Sequence, residues 1–145
     1  MTFAQSDDLK IIYSTFHTRL DIFPHIRQDA LKRRIEAHQC VWQDGVAITF
    51  QQYRKRTQVG TVAIPAKSIM LHQIINSNQF SGAGGRMFEA FFEEIVIPSG
   101  GDLYLSVRTA NVVACDFYEK HGMECVGTVV WSGGTLPGKI YLRCV

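Results

Sequence analysis

The sequence lacks a hydrophobic run long enough to cross a bilayer, and it lacks a large excess of charge of either sign. A membrane-spanning helix needs roughly 20 apolar residues, whereas the longest apolar cluster, residues 87–97, is interrupted by three glutamates. Fifteen lysines and arginines against thirteen acidic residues give a formal net charge of +2, which neither indicates nor excludes nucleic acid as a partner. The first eight residues lack the basic start and apolar middle of a secretory signal. We therefore expect a cytoplasmic protein with no membrane partner.

Cysteine and proline are also scarce. The cysteines are widely spaced, form no Cys-x-x-Cys pair and have no histidine pattern typical of a zinc site beside them: Cys40, Cys115, Cys125 and Cys144. We expect reduced, mostly buried thiols and no metal site. There is no repeat, low-complexity tract or Pro/Ser-rich linker, so 145 residues predict a single domain over 1–145.

Hydrophobic residues make up 46% of the chain, enough to build a core, and their pattern alternates between strand and helix periods. The predicted strands are 9–13, 40–42, 46–50, 61–64, 68–75, 103–107, 124–131 and 139–144. The predicted helices are 23–39, 111–121 and a segment that begins after the glycines at 82–85 and stops at 98–101. Asp44-Gly45 between two β-rich runs indicates a hairpin. This interleaving predicts a layered α/β domain whose mixed sheet is covered by helices.

The most informative segment is a glycine-rich turn between a predicted strand and a predicted helix. Three of the four residues 82–85 are glycine, and the lack of side chains lets a ligand approach the main chain. The first N–H groups of a helix suit an anion such as pyrophosphate, and Arg86 adds a positive charge. The residues alone leave an anion site and a plain tight turn equally open. A P-loop is excluded because no lysine follows, and a dinucleotide fingerprint because Met87 replaces its third glycine.

Two motifs resemble signatures of the GNAT superfamily of N-acetyltransferases. Residues 79–84 match Gln/Arg-x-x-Gly-x-Gly/Ala, which is similar to the family's acyl-CoA pyrophosphate loop. Residues 107–123 resemble its second signature, with Asn111, Ala114 and an aromatic-Tyr-x-Lys-x-Gly ending. The motifs occur in the family's order, separated by one helix and one strand. The resemblance covers 69–126 well and implies a mixed, mostly antiparallel central sheet flanked by helices, with a V-shaped splay of strands at the acyl-CoA site.

The resemblance also implies which residues bind acetyl-CoA, the acyl donor. In the family the amides of the turn hold the CoA pyrophosphate, and the preceding strand, here 71–75, pairs with the pantetheine arm. A family asparagine at the Asn111 position contacts the same arm, although Asn111 could equally be a plain helix cap. The implied cofactor-binding residues are Gln73, Ile74, Gln79, Gly82, Gly84, Gly85, Arg86 and Asn111.

For catalysis the resemblance implies direct transfer of the acyl group to an amine, with Tyr118 protonating the leaving thiolate. Tyr118 could instead be a core aromatic. Family members often carry a glutamate on the strand before the turn, but 67–78 contains no carboxylate. His72 is the best candidate for the base, because imidazole titrates near neutral pH. A structural role for His72 stays open, as does transfer without a base to a weakly basic amine.

The acceptor is less well indicated. The resemblance places it near the first helix and the last hairpin, where Trp131 and a glycine-rich loop could stack on a flat substrate or form a packed hairpin end. Tyr53 lies beside Arg54-Lys55-Arg56, which could contact phosphates. We expect a small-molecule or protein amine as substrate and a monomer or homodimer. Two alternatives are a nucleic-acid-modifying enzyme, similar to the phage Mom-like members of the superfamily, and a non-catalytic CoA-binding module.

Overall fold

The computed structural model describes residues 1–77 and 81–145. The strands are β1 (Thr2–Phe3), β2 (Cys40–Gln43), β3 (Val46–Gln52), β4 (Thr57–Val59), β5 (Val62–Ile64), β6 (Ile69–Asn76), β7 (Leu103–Arg108), β8 (Glu124–Trp131) and β9 (Leu136–Arg143). The helices are α1 (Leu9–His17), α2 (Gln28–Glu36), α3 (Ala83–Phe91), α4 (Ile97–Ser99) and α5 (Val112–Lys120), with a π-helical segment at Phe92–Val96. Short 3-10 segments lie at Ser6–Asp8 and Ser132–Gly134.

Among the described residues, seven strands form one sheet in the order β1-β2-β3-β6-β7-β9-β8, and β4 pairs with β5 separately. Strands β6 and β7 are parallel, with 69–71 paired to 103–105, and both run on beyond this stretch, to Asn76 and Arg108. The pairs β1–β2, β2–β3, β7–β9 and β8–β9 are antiparallel. A parallel pair needs a crossover connection, which α3 and the helical segments after it supply. The predicted mixed, mostly antiparallel sheet in an α/β fold is confirmed.

The described chain divides into two compact units, each with its own apolar core. The first unit comprises Met1–Phe50 and Gln73–Met87, and the second comprises Gln51–His72 and Phe88–Val145. The single domain expected over 1–145 stays a prediction.

The core of the first unit is built from one apolar stripe on each of two helices. Helix α1 contributes Ile12 and Phe16, both fully buried, and α2 contributes Leu31 and Ile35. Residues four apart lie on the same face of a helix. The strand residues in this core are Cys40, Ala47 and Ile75. Burial of a side chain of this size contributes roughly 1.5–3 kcal/mol, so the stripes hold α1 and α2 on the strand residues.

The predicted hairpin at Asp44-Gly45 is confirmed and joins β2 to β3. Both residues have positive φ, +52° and +76°, as the favoured two-residue hairpin turn requires. The carbonyl of Gly45 accepts a hydrogen bond from the Ser77 N–H at 2.9 Å. A Cβ on Gly45 would overlap the Ser77 hydroxyl. The hairpin turn therefore holds Ser77, the first residue after β6, a few residues before the glycine-rich turn.

The second unit packs side chains on both faces of its strands, because successive residues of a strand point to opposite faces. On one face lies a core that the β4–β5 hairpin shares, and its buried members are Ile64, Met70, Tyr104 and Ile140. On the other face, Tyr141 of β9 contacts Tyr118 of α5, and Tyr118 also contacts Phe88 of α3. Helices α3 and α5 are thus attached to β9 through aromatic rings.

Residues Leu9–His17 form helix α1, so the strand predicted at 9–13 is wrong. Helix α1 buries Ile12, Thr15 and Phe16, which recur at helical spacing. The five-residue window 9–13 ends before the second turn of this stripe, so its β-branched isoleucines suggested a strand. Packing of the complete stripe overrides that local preference.

The second helix is shorter than the predicted 23–39, because α2 runs only from Gln28 to Glu36. Phe23 lies outside it and meets the Phe16 ring edge-on, with 5.0 Å between ring centroids. The apolar residues before position 28 therefore pack on α1 instead of extending α2.

The remaining elements confirm the prediction to within a few residues, with three differences. Strands β1 and β4 were missed, and β9 begins at Leu136 instead of 139. The helix after the glycine turn ends within the predicted stop at 98–101: Pro98 still lies inside α4, and the chain leaves α4 at Gly100 with φ +83°. Proline cannot donate the helical hydrogen bond and clashes with the carbonyl four residues earlier. The π-helical segment immediately before α4 loosens the helix where Pro98 has to be accommodated.

Candidate functional site

The glycine-rich turn leads directly into α3, as predicted. Gly82 has φ +83°, and the first helical hydrogen bond runs from the Arg86 N–H to the Gly82 carbonyl at 3.2 Å. The Ala83 N–H donates to the Ser81 hydroxyl at 3.2 Å. The amides of Gly84 and Gly85 lie in this first turn, where the helix itself offers them no acceptor. They stand at the positive end of the helix dipole, which favours an anion.

Gly84 is buried against the end of β6. A Cβ placed on it would lie 3.3 Å from Nδ2 of Asn76, closer than side chains normally pack, whereas a Cβ on Gly82 would lie 3.1 Å from Nη1 of Arg86. The turn thus combines backbone amides, a carboxamide and an exposed guanidinium, a set that can hold a phosphate group. Sequence reasoning missed Asn76, although a polar residue ending a strand before such a turn was a signal for it. Gln79 lies outside the described residues.

Gln73 and Ile74, the residues predicted to meet the pantetheine arm, are half-buried in β6. The Gln73 side chain is already engaged, since its Oε1 accepts a hydrogen bond from the fully buried Thr49 hydroxyl at 2.9 Å. Any contact that Gln73 makes as a strand partner would therefore come from its backbone. The pantetheine role of both residues stays a prediction.

His72 precedes Gln73 and belongs to the second unit. Its side chain is exposed, and its Nε2 lies 3.0 Å from Oε1 of Gln51 in β3. The hydrogen bond expected of a structural histidine is present, but the burial is not. His72 therefore combines access to solvent with a fixed ring, as a proton acceptor requires. Gln51 was not singled out from the sequence, because only the sheet pairing brings it to His72.

Tyr118 lies in the last turn of α5 and is 7% exposed. Its ring contacts Phe88, Phe117 and Tyr141, with centroids 5.5–6.2 Å apart. No hydrogen bond to its hydroxyl occurs within the part of the chain that the structure describes. Burial, and secondarily the Cys115 thiol, raises the pKa of Tyr118 above its usual value. Tyr118 is a core aromatic whose hydroxyl stays protonated. This placement is compatible with a structural role and also with protonation of the leaving thiolate.

Asn111 caps α5. Its Oδ1 accepts a hydrogen bond from the Ala114 N–H at 3.3 Å, and Gly122 follows the helix with φ +81°. The helix-cap interpretation is thus confirmed, and the contact with the pantetheine arm stays a prediction. Asn111 and Tyr118 are seven residues apart, about two turns along the same side of the helix axis.

The two aromatics predicted to bind substrate have different surroundings. Tyr53 packs against the core formed by Ile64, Met70, Tyr104 and Ile140. The indole of Trp131 lies over Gly138, so that a Cβ there would overlap it. The packed hairpin end is therefore observed for Trp131, and the basic residues 54–56 beside Tyr53 are exposed.

A polar cluster that sequence reasoning missed joins α3, α5 and β9 in the second unit. Nη1 of Arg143 donates to both Glu89 oxygens, at 2.9 and 3.1 Å, and Nδ1 of His121 lies 3.2 Å from Oε1 of Glu89. The guanidinium also lies 3.7 Å from the centroid of the Phe92 ring. Burial alone would raise the pKa of Glu89, but the hydrogen bonds and charges of Arg143 and His121 outweigh it and lower that pKa.

The cysteines are free: Cys40 and Cys115 are buried, but Cys125 and Cys144 are exposed, contrary to the expectation of mostly buried thiols. Burial, with a smaller effect of the Asp8 charge, raises the pKa of Cys40 to about 12, so this thiol is inert at neutral pH.

Residues 1–77 and 81–145 contain no group of three metal-ligating side chains. They also contain no helix long and apolar enough to span a membrane.

Solved structures match this chain over nearly its whole length, although no family model and no curated protein matches its sequence. The loading GNATL domain of CurA from Lyngbya majuscula has a TM-score of 0.78 and 12% identity, covering 99% of this chain and 96% of that one. A ribosomal-protein-alanine N-acetyltransferase from Brucella melitensis has a TM-score of 0.73 and 12% identity, covering 99% and 98%. A chain of the NatC complex bound to Gag peptide and CoA has a TM-score of 0.73 and 7% identity, covering 100% and 95%. The chain has the GNAT fold, as its two motifs predicted.

Proposed function

We propose that this chain is an N-acyltransferase that transfers an acetyl group from acetyl-CoA to an amine by direct attack. The observation that carries the proposal is the start of α3, where the amides of Gly84 and Gly85 and the charge of Arg86 suit an anion. This turn occurs in a chain with the GNAT fold. Solved structures similar to this chain include an N-acetyltransferase and a chain of a complex bound to CoA. The function is supported by a site motif as well as by the fold, which alone would not specify it.

Packing at position 84 favours glycine, which also leaves the backbone of this turn open to the CoA pyrophosphate. Any side chain at that position would crowd Asn76, so the open backbone there has a spatial reason. Gly82 and Arg86 complete the pyrophosphate contacts, with Gln79 assigned by the resemblance alone. In this proposal the backbone of Gln73 and Ile74 pairs with the pantetheine arm, and Asn111 contacts that arm with the carboxamide nitrogen that its capping role leaves available.

Bound acetyl-CoA supplies a thioester, whose carbonyl carbon is open to attack by a neutral amine. His72 accepts the proton that the amine loses as the C–N bond forms. When the C–S bond breaks, its electron pair stays on sulfur, and the Tyr118 hydroxyl protonates the thiolate. The raised pKa of Tyr118 keeps that hydroxyl protonated at neutral pH, as a general acid requires.

The proposed acceptor is an amine on a small molecule or a protein. Trp131 is a better candidate than Tyr53 for contact with it. Both side chains are half-buried, but Tyr53 packs against an apolar core, whereas Trp131 adjoins the exposed Ser132–Gly134 turn. An aromatic ring at such an edge can stack on a flat substrate.

Calorimetric titration with acetyl-CoA and CoA tests the donor before any acceptor is known. We expect saturable binding of both by the wild-type protein and weak or no binding by Gly84→Val. A thiol-detection assay with a panel of amines then measures CoA release. Absence of acetyl-CoA binding would refute the proposal, whereas binding without CoA release for any amine would indicate a regulatory CoA-binding module.

A nucleic-acid acceptor is the second candidate, favoured by the exposed side chains of Arg54, Lys55 and Arg56 between β3 and β4. Lysine and arginine contacts to phosphates weaken steeply with salt. Binding of DNA or tRNA that falls at least 10-fold between 50 and 200 mM salt, and that is lost in a triple alanine variant of these residues, would support it. Salt-independent or undetectable binding would leave a small-molecule or protein amine as the acceptor.

A further inference from the structure

We propose that the guanidinium of Arg108 binds a carboxylate on the acceptor. The preferred acceptor is then a small-molecule amine that also carries a carboxylate, as a free amino acid does, and the accessible part of Trp131 contacts its apolar portion. This inference rests on the proposed function and names the class of its acceptor.

Arg108 and Trp131 lie on the same face of the strands in the second unit. Arg108 is the last residue of β7 and is directly opposite Gly138 of β9, and the side chains of directly opposite residues share a face. The indole of Trp131 occupies the space that a Cβ on Gly138 would take. Because Gly138 has no side chain, the side chain of Arg108 starts next to the position that the indole covers.

The guanidinium of Arg108 is not engaged by the protein. Arg108 is exposed, and its side chain has no ion pair or hydrogen bond to the residues that the structure describes. Asp102, which precedes β7, lies roughly 20 Å away along the strand, and its Oδ1 accepts a hydrogen bond from the Val145 N–H at 2.9 Å. An exposed cation without an acidic partner is available to an anionic ligand.

The backbone that carries Arg108 is fixed, although its side chain is not. The Arg108 carbonyl accepts hydrogen bonds from the Asn111 N–H at 3.0 Å and from the Cys115 thiol at 3.9 Å. The next amide, that of Thr109, donates to the Pro137 carbonyl at 3.0 Å. Contacts to α5 and β9 therefore hold the end of β7, three residues before the asparagine proposed to contact the pantetheine arm.

The chemistry of this pair of side chains indicates the class of acceptor. A guanidinium is planar and permanently charged, and it can donate two parallel hydrogen bonds to one carboxylate. An indole contacts apolar and aromatic groups, and Trp131 is half-buried, so part of its ring is accessible. A molecule that suits both side chains has a carboxylate and an apolar group, and an acceptor also needs an amine. An aromatic amino acid has all three.

The experiment compares Arg108→Gln and Arg108→Lys with the control Lys139→Gln. Lys139 follows Gly138 and is opposite Val107, so the control removes a positive charge from the other face of the same strands. The probes are phenylalanine, tyrosine and tryptophan and the three corresponding amino-acid amides. The amides keep the amine but lack the carboxylate, and CoA release is measured with each probe.

We expect the wild type to prefer the acids to the amides. Arg108→Gln should raise the KM for the acids about 10-fold or more, with little change in the KM for the amides or for acetyl-CoA. Arg108→Lys should retain part of the preference, because an ammonium keeps the charge but not the paired hydrogen bonds. Lys139→Gln should behave like the wild type. Equal kinetics for acids and amides would overturn the inference, as would an equal effect of Arg108→Gln on both, or CoA release with none of the acids.

NMR of the Trp131 indole N–H, assigned with Trp131→Phe, measures acceptor binding with and without CoA. Phenylalanine should shift this signal saturably, phenylalaninamide should bind more weakly, and Arg108→Gln should weaken phenylalanine binding about 10-fold or more. An indole signal that phenylalanine leaves unshifted in both conditions would overturn the inference. Absence of acetyl-CoA binding in the wild type would instead overturn the proposed function, and the NMR result would still stand.

Discussion

Nη1 of Arg143, at the end of β9, lies 2.9 Å from Oε2 of Glu89 near the end of α3. The same nitrogen donates to the His121 carbonyl at 3.2 Å, and a Cβ on Gly122 would lie 3.3 Å from Nε of Arg143. One arginine thus joins α3, the end of α5 and the last strand. These elements carry the proposed acid Tyr118, so the ion pair supports its surroundings without taking part in the reaction.

Replacing Glu89 with glutamine should destabilise the protein by about 1 kcal/mol at pH 7, a value kept small because the carboxylate is 41% exposed and therefore screened. The pKa of Glu89 is lowered in the folded protein. Its contribution is therefore complete above the unfolded pKa, near 4.5, and is lost as the pH falls through the folded value. Urea unfolding at several pH values measures this dependence.

The matched control for Glu89→Gln is Glu93→Gln, an exposed glutamate in the π-helical segment after α3. We expect the control to stay within about 0.5 kcal/mol of the wild type. The difference between the wild type and Glu89→Gln should begin to shrink as the pH falls below about 4.5 and should be lost as the pH falls through the lowered pKa of Glu89, because both proteins then lack the charge. A difference that is constant from pH 7 to pH 3 would contradict the assigned role of the charge.

Replacing Gly84 with valine should lower the affinity for acetyl-CoA at least 10-fold. The new side chain would crowd Nδ2 of Asn76, 3.3 Å from the added Cβ, and would cover the amides proposed to hold the pyrophosphate. Ala90→Val is the control, because it places the same β-branched residue in the same helix outside the turn. Calorimetry on both variants, with melting temperatures recorded, separates lost binding from lost folding. Equal affinities in Gly84→Val and the wild type would contradict the loop assignment.

Tyr118→Phe and Tyr141→Phe form a matched pair. The Tyr118 hydroxyl has no hydrogen bond among the described residues, whereas the Tyr141 hydroxyl donates to Oε2 of Glu119 at 2.8 Å. We expect Tyr118→Phe to lower kcat about 100-fold with little loss of stability or of acetyl-CoA affinity. Tyr141→Phe should cost about 1 kcal/mol of stability and leave kcat near the wild-type value. If both variants turn over at the wild-type rate, Tyr118 is a core aromatic and not the acid.

The sequence predicted those parts of the fold whose signals are local. The Asp44-Gly45 hairpin, the cap at Asn111 and the glycine turn before α3 each depend on a few adjacent residues with special backbone requirements. The strand predicted at 9–13 is wrong because the apolar helical stripe that includes Ile12 and Phe16 extends beyond residue 13. Tertiary packing decided the structure of that segment.

The same distinction between local signals and long-range packing applies to the candidate site. The residues of the turn follow from a motif, whereas the partners of His72 and Glu89 do not. Gln51 lies 21 residues from His72, and Arg143 lies 54 residues from Glu89, so only strand pairing and helix packing bring them together. Polar partners so far apart in sequence leave no periodic signal.

The packing of Trp131 over Gly138 yields a prediction that separates its structural role from contact with a substrate. A Cβ on Gly138 would overlap the indole and lie 3.0 Å from the Val107 carbonyl, so Gly138→Ala should cost about 2 kcal/mol. In a Trp131→Ala background the same change should cost less, because the ring it would strike is absent. A double-mutant cycle from urea unfolding measures the coupling, which should exceed 0.5 kcal/mol for residues in contact. If Gly138→Ala lowers the stability equally in both backgrounds, the indole does not stay on Gly138 in solution. Trp131 would then be available to stack on a substrate.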